Sequence, residues 1–232
     1  MSSNHSTNSP VNPLLIPKYK DRTFNTHAQH LIDYTSSEYD NIFIGDSMMQ
    51  RWLSTGTTFW NDNFKKCSAN FGVGGDGVEH LIYRLVGDES KNIKGFPECI
   101  KKCKNIYLMI GTNNIDKRKP IQISEAIDKI IKLLKARIQF ENFIIFAVTP
   151  RKDVNTLKIN DLNKCIMSVC ELNKVQFHNF NDLLDLNTDY DDNVHLNING
   201  YKKWLTVLHS LTVTPAPTPM PTQSQSPTLK DR

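Results

Sequence analysis

Asp192 and His195 stand three residues apart in "DDNVHLN", and Ser47 follows Gly45 and Asp46 in "NIFIGDSMMQ". A serine hydroxyl becomes a nucleophile when a base takes its proton, and an imidazole serves as that base when a carboxylate holds its other nitrogen. Asp-x-x-His on one short segment can supply the base and its orienting group together. Two further stretches, "FGVGGDG" (Phe71 to Gly77) and "IGTNN" (Ile110 to Asn114), offer backbone N–H groups with little side-chain cover and side-chain amides. Groups of both kinds stabilise an oxygen that becomes anionic during reaction. Nucleophile, oxyanion donors, base and orienter are the parts of an acyl-transfer site.

Each part alone has a plainer reading. Ser47 could cap the helix "MMQRWL", Asn113 could be a turn residue, and Asp192 with His195 could form a surface loop ahead of a helix. Gly72, Gly74 and Gly77 satisfy G-x-G-x-x-G, the dinucleotide fingerprint. That fingerprint also requires an acidic residue closing the next strand roughly 20 positions on. Here "GDESKNIKGFPE" reads as a loop instead, which argues against a nucleotide-binding oxidoreductase. No second histidine stands near His195 at ligand spacing, so neither a metal nor an organic cofactor is expected. The acyl-transfer reading rests on the parts occurring together, in order, each at the end of a strand.

Those strands come from five short apolar runs: "NIFIG" (41–45), "CSANFG" (67–72), "NIYLMIG" (105–111), "NFIIFAVTP" (142–150) and "VQFHNF" (175–180). Their near-continuous hydrophobicity predicts a parallel sheet buried on both faces. Helical periodicity fills the gaps, in "GVEHLIYRLVG", "SEAIDKIIKLLKARIQF", "LKINDLNKCIMSVCELN" and "INGYKKWLTVLHSL". Ser124 is the expected N-cap of the second of these, with Ile127, Ile130, Ile131 and Leu134 on its apolar face. The alternation predicts an α/β fold, a three-layer α/β/α sandwich around a parallel sheet of about five strands. In such sheets ligands bind beyond the carboxyl ends of the strands, where the polar residues above lie.

The chain has 232 residues, long enough for one sizeable core. Residues 1–20 read as a disordered polar leader, 21–212 as the catalytic domain and 213–232 as a disordered tail, since Thr214 onward holds five of the eleven prolines. Asn4-His5-Ser6 matches a glycosylation acceptor inside that leader. Lys and Arg total 28 against 24 Asp and Glu, a net charge of +4 that does not imply nucleic acid as a partner. The five cysteines, an odd number without paired metal-ligand spacing, suggest a reducing compartment. Cys99 and Cys103, four apart, could share a helix face as buried small side chains. No apolar run reaches the ~20 residues of a membrane span and the N-terminus lacks a signal-peptide pattern, so a soluble cytoplasmic protein is expected.

The four motifs together resemble those of the SGNH (GDSL-type) hydrolase family, and within it the branch of platelet-activating factor acetylhydrolase Ib catalytic subunits. "GDSMMQ", "NFGVGGDG", "GTNN" and "VHLNINGY" carry the likeness, which covers roughly residues 25–212. It implies a flavodoxin-like sandwich with Ser47 as nucleophile, His195 as base and Asp192 orienting it. It also implies an oxyanion hole made by the Ser47 and Gly75 backbone N–H groups and the Asn113 side chain, Gly75 being the glycine directly before Asp76. Asp46 is then a turn and hydrogen-bond residue, and Arg151 in "TPRKDVN" has no catalytic role. The implied activity is cleavage of short acyl esters, acetyl above all, through an acyl-enzyme, on a lipid or an acetylated sugar. A carbohydrate O-acetylesterase and a non-catalytic scaffold on the same fold are the alternatives, and the likeness allows a homodimer. Two departures stand out: Asn114 where the wider family has Asp, although the acetylhydrolase branch also carries Asn there, and a long link, "GDESKNIKGFPECIKKCKN", that could reshape one rim of the pocket.

Overall fold

The apolar runs pair into one sheet. In the computed structural model, which describes residues 11–98 and 100–212, five parallel strands stand in the spatial order β2-β1-β3-β4-β5. They are β1 (Glu38–Gly45), β2 (Ser68–Gly72), β3 (Lys102–Met109), β4 (Asn142–Phe146) and β5 (Gln176–His178). Parallel neighbours need crossovers, and helices supply them. α1 (Asp21–Asp33) precedes β1, while α2 (Ser47–Gln50) and α3 (Thr57–Asn63) lie between β1 and β2. α4 (Val78–Val86), α5 (Pro120–Lys135) and α6 (Thr156–Asn173) make the next three crossovers, and α7 (Ile198–Thr212) follows β5. The chain order reverses between β1 and β3, so this switch point is where an open sheet of this kind receives its ligand.

Side chains along each strand alternate between two cores. Ile42, Ile44, Phe71, Ile106, Leu108, Phe143 and Ile145 face the layer of α4, α5 and α6. Phe43, Tyr107, Met109, Ile144 and Phe146 face α2, α3 and α7, where Trp52, Trp60 and Trp204 fill the space. Burial on both faces explains why the runs read as continuous rather than alternating, and the expected three-layer α/β/α sandwich is the result. At the opposite end of the sheet from the polar motifs, a hydrogen-bonded row fixes the register. Asn41 donates to Ser68 Oγ at 3.1 Å, Asn105 to Asn41 Oδ1 at 2.9 Å and Asn142 to Asn105 Oδ1 at 3.0 Å. A one-residue slip would break this row and turn each strand's core face outward.

Several expectations need correction. α5 begins at Pro120, not at Ser124, because proline's fixed φ suits a first helical position. Ser124 is buried inside the helix and its hydroxyl donates to the Ile121 carbonyl. Within residues 11–20 of the expected disordered leader, Asn12 and Leu14 are buried. Asn12 caps a short 3-10 turn at Pro13–Leu15, Leu14 enters the core, and the Asn12 amide donates to the Gln122 carbonyl and Glu125 on α5. Cys103 is buried within β3, so it shares no helix face with Cys99. Cys99, residues 1–10 with the Asn4-His5-Ser6 acceptor, and the tail from 213 lie outside the described residues. The long link after α4 is pinned rather than loose: Phe96 stacks on Phe71 with ring centroids 4.4 Å apart, and His27 Nε2 donates to the Lys94 carbonyl. Among the described residues, no helix is long and apolar enough to cross a membrane.

Two histidines on α1 make the packing sensitive to acid. Burial, and then the nearby Arg84 charge, hold the imidazoles of His27 and His30 neutral, lowering them to about 4 and about 3. The unfolded chain takes up these protons near the usual 6.5, so the stability they confer is complete above that pH and is lost as pH falls toward 4. Each should contribute a slope of about 1.4 kcal/mol per pH unit in that window. A His30→Leu variant should therefore lose less stability than the wild type between pH 6.5 and 4.5. Urea-unfolding midpoints at the two pH values check this, and equal losses in both proteins would contradict it.

Candidate active site

The turn after β1 is built to expose one hydroxyl. A Cβ on Gly45 would run into the Met109 carbonyl of β3, so only glycine fits as the strand ends. Asp46 is fully buried, and its Oδ1 accepts the Met48 N–H at 2.9 Å. The N-cap of α2 is thus Asp46 rather than Ser47, which leaves the serine hydroxyl free. Burial pushes the Asp46 carboxyl up to about 7 against the opposing pull of the Met48 N–H.

Ser47 Oγ meets His195 Nε2 at 2.9 Å, and His195 Nδ1 meets Asp192 Oδ2 at 2.7 Å. The carboxylate is held from its other side by the Val194 and His195 backbone N–H groups, both 2.7 Å from Oδ1. Burial alone would raise Asp192, but the bonds from the His195 ring and these two N–H groups outweigh it and bring the carboxyl down to about 2. An ionised Asp192 accepts the Nδ1 proton, which leaves Nε2 as a base facing the hydroxyl. The whole unit lies on one loop, closed by the Asp191 N–H to the His195 carbonyl at 2.9 Å. Asn197 then accepts the Asn199 and Gly200 N–H groups as α7 begins, and Tyr201 on that helix donates to the Met48 carbonyl at 2.6 Å. One buried phenol thereby ties α7, which follows His195, to α2, which begins at Ser47.

The glycine loop after β2 can be accounted for N–H by N–H. Gly72 donates to Asn70 Oδ1 (2.8 Å), Val73 to the Gly45 carbonyl (3.0 Å) and Gly74 to Gln50 Oε1 (2.9 Å). Asp76 donates to the Val73 carbonyl (3.2 Å), Gly77 to His80 Nδ1 (2.9 Å) and Val78 to Asn114 Oδ1 (2.9 Å). The Gly75 N–H has no acceptor among the described residues, and Gly75 has φ +78°, a conformation other residues rarely adopt. The Ser47 N–H is equally without an acceptor among them. Asn113, in the turn after β3, donates one amide hydrogen to the Asp76 carbonyl at 2.9 Å and keeps its second. Ser47, Gly75 and Asn113 thus each keep a donor without an acceptor among the described residues, just beyond the ends of β1, β2 and β3, and the glycines of the G-x-G-x-x-G match belong to this loop.

Behind the loop stands Arg84 of α4, with no exposed surface. Its Nε donates to Asp76 Oδ2 at 2.9 Å, Nη1 to the Phe71 carbonyl at 2.9 Å and Nη2 to the Gly45 carbonyl at 3.2 Å. Thr23 of α1 donates to the other Asp76 oxygen at 2.5 Å. Arg84 escaped the sequence reading, although a charged residue inside the apolar helix "GVEHLIYRLVG" was its available signal. Asn70, whose amide donates to the Met49 carbonyl at 2.8 Å, also escaped it and left no local signal. Asn114 explains its own departure from the wider pattern: Oδ1 takes the Val78 N–H while Nδ2 donates to Glu79 Oε2 at 2.8 Å. An aspartate could do the first but would repel Glu79. Arg151 is nine-tenths buried and donates to the Thr112 carbonyl at 2.8 Å, with Asp153 pairing its other edge, so it braces the Asn113 turn.

Arg84→Met should cost about 3–5 kcal/mol, because it strands the buried Asp76 carboxylate without a partner. Denaturant unfolding measures this, and a loss under about 1 kcal/mol would contradict the account. Asn114→Asp should destabilise the protein in the wild-type background and much less beside Glu79→Gln. A double-mutant cycle that showed no coupling would exclude the Glu79 contact as the reason for Asn114.

Residues 43–203 match the GDSL-like Lipase/Acylhydrolase family. The chain is 30% identical over 221 residues to platelet-activating factor acetylhydrolase IB subunit alpha2 of Homo sapiens, covering 86% of this chain and 90% of that protein. It is 28% identical over 152 residues to subunit alpha1 of the same organism, covering 65% and 61%. In fold it is similar to a carbohydrate acetylesterase from Sinorhizobium meliloti, with TM-score 0.58, 13% identity and 75% and 98% coverage. It is also similar to an acetylxylan esterase from Geobacillus stearothermophilus, with TM-score 0.56, 13% identity and 78% and 97% coverage. With the family matched over most of the folded chain and a serine, histidine and aspartate in hydrogen-bonded sequence at the sheet's switch point, the chain belongs to the SGNH (GDSL-type) acylhydrolases, near the platelet-activating factor acetylhydrolase IB branch, and is an ester hydrolase.

Proposed function

We propose that this hydrolase removes short acyl groups, acetyl first among them, by way of an acyl-enzyme on Ser47. The observation that carries the reading is the unbroken chain from Ser47 Oγ to His195 at 2.9 Å and from His195 to Asp192 at 2.7 Å. His195 Nε2 takes the hydroxyl proton as Ser47 Oγ bonds to the ester carbonyl carbon. The carbonyl oxygen becomes an oxyanion received by the Ser47 and Gly75 N–H groups and the free Asn113 amide hydrogen. Collapse breaks the bond to the alcohol, whose oxygen leaves with the proton from His195. Water then repeats the sequence on the acyl-enzyme, releasing the carboxylic acid and restoring Ser47. Asp192 stays ionised throughout and stabilises the imidazolium in each half-reaction. The names of the relatives support an acetyl ester as substrate, and their designation as subunits supports an assembled form, here proposed as a homodimer. The unpaired Cys67, Cys103, Cys165 and Cys170 suit a reducing cytoplasm.

On p-nitrophenyl acetate, Ser47→Ala should fall to the rate of a blank, and Asn113→Ala should lose about 10²–10³ in kcat with little change in KM. Activity should drop as the acyl chain lengthens from acetyl to octanoyl. Retained turnover in Ser47→Ala would overturn the assignment, and a folded wild type that hydrolyses neither lipid nor sugar acetates would favour a binding role on the same fold.

A further inference from the structure

The flanks of the glycine loop are pinned from below, and its centre is pinned from the side. Val73 is fixed by its bond to the Gly45 carbonyl, and Asp76 by Arg84, Thr23 and the Val73 carbonyl. Between them lie Gly74 and Gly75, two adjacent residues with the widest backbone freedom of any. Two side chains hydrogen-bond to this pair, while the Arg22 guanidinium lies beside Gly74. Lys20 Nζ donates to the Gly75 carbonyl at 3.0 Å, and Gln50 Oε1 accepts the Gly74 N–H at 2.9 Å. Lys20 is a point charge on a flexible stem and constrains little. Gln50 differs, because it lies at the end of α2, one turn after Ser47. The N–H of Gly74 requires an oxygen, which sets the orientation of the amide. Gln50 is therefore a strut of fixed length between the helix that carries the nucleophile and the loop that carries the oxyanion donor.

We propose that Gln50 is a positioning residue of the oxyanion site, an inference that rests on the acyl-transfer reading above. By engaging the Gly74 N–H it leaves Gly75 as the loop's one free donor and holds that donor at a constant distance from Ser47. Without the strut, the Gly74 N–H loses its acceptor, and the Gly74 dihedrals that aim the next peptide unit, which carries the Gly75 N–H, are no longer held. The oxyanion then meets a donor that must be oriented during the reaction rather than before it, which is where such sites lose rate.

Gln50→Met keeps the length of the side chain and removes the acceptor, while Gln50→Glu keeps the acceptor. With p-nitrophenyl acetate and rates normalised to titrated active sites, Gln50→Met should lose about 10- to 100-fold in kcat, part of the 10²–10³ that follows outright loss of a donor. KM should stay within about threefold, as expected for an interaction made only in the transition state. Affinity for a phenylboronic acid, whose tetrahedral adduct puts an oxygen at the donors, should fall in parallel with kcat/KM, and Gln50→Glu should be clearly faster than Gln50→Met. Wild-type kcat and boronate affinity in Gln50→Met, or an equal loss in both variants, would overturn the inference while leaving the acyl-transfer reading in place. A wild type no faster than Ser47→Ala would overturn both.

Discussion

The geometry of this protein's site depends on one buried ion pair. Where β1 and β2 turn toward the site, the carbonyls of Gly45 and Phe71 both take a donor from inside the protein, the first in addition to the Val73 N–H. Arg84 answers both and pairs with Asp76 through its remaining nitrogen. A guanidinium suits this place because its donors radiate in one plane at fixed angles, which a lysine could not reproduce. Burying two charges stabilises a fold only weakly at best, so the arrangement is better understood as a device for position. It fixes the end of β1 and the start of the glycine loop relative to one another.

From that anchor the site is assembled by amides and one phenol, with Arg151 and Asp153 bracing the Asn113 turn. Asn70 joins the Met49 carbonyl to the Gly72 N–H, and Tyr201 joins the Met48 carbonyl to α7. The short helix α2 is therefore held by β2 through Asn70 and by α7 through Tyr201. The Asp192–His195 turn brings its own support, since the backbone N–H groups of its own residues hold the carboxylate that orients the ring. A base carried on an exposed loop can be well placed when its orienting group is local in this way.

What was legible in the sequence follows the range of the interactions. Strand and helix patterning is local, and the alternation of apolar runs with periodic segments was enough to predict a sandwich with a parallel sheet. The meeting of Ser47, Asp192 and His195 was legible because residue type and short spacing at strand ends suggest it. The reason Gly75 has a free N–H was not legible, because it depends on what Gln50, His80 and Asn114 do to the neighbouring N–H groups. Arg84 reaches the Gly45 carbonyl across 39 residues of sequence, Asn70 the Met49 carbonyl across 21 and Tyr201 the Met48 carbonyl across 153, and spacing does not encode such contacts. The error at Ser124 came from weighing a good capping residue above the proline four positions earlier. The burial within residues 11–20 was missed because two contacts, Leu14 in the core and Asn12 on α5, outweigh a polar composition.

The central claim is that Ser47 is an activated nucleophile at the sheet's switch point. Intact-mass measurement after incubation with a fluorophosphonate, on the wild type and on Ser47→Ala, tests it most directly. The account predicts a single covalent adduct on the wild type and none on the variant. A folded wild type that stays unlabelled, or a Ser47→Ala protein labelled to the same extent, would contradict it.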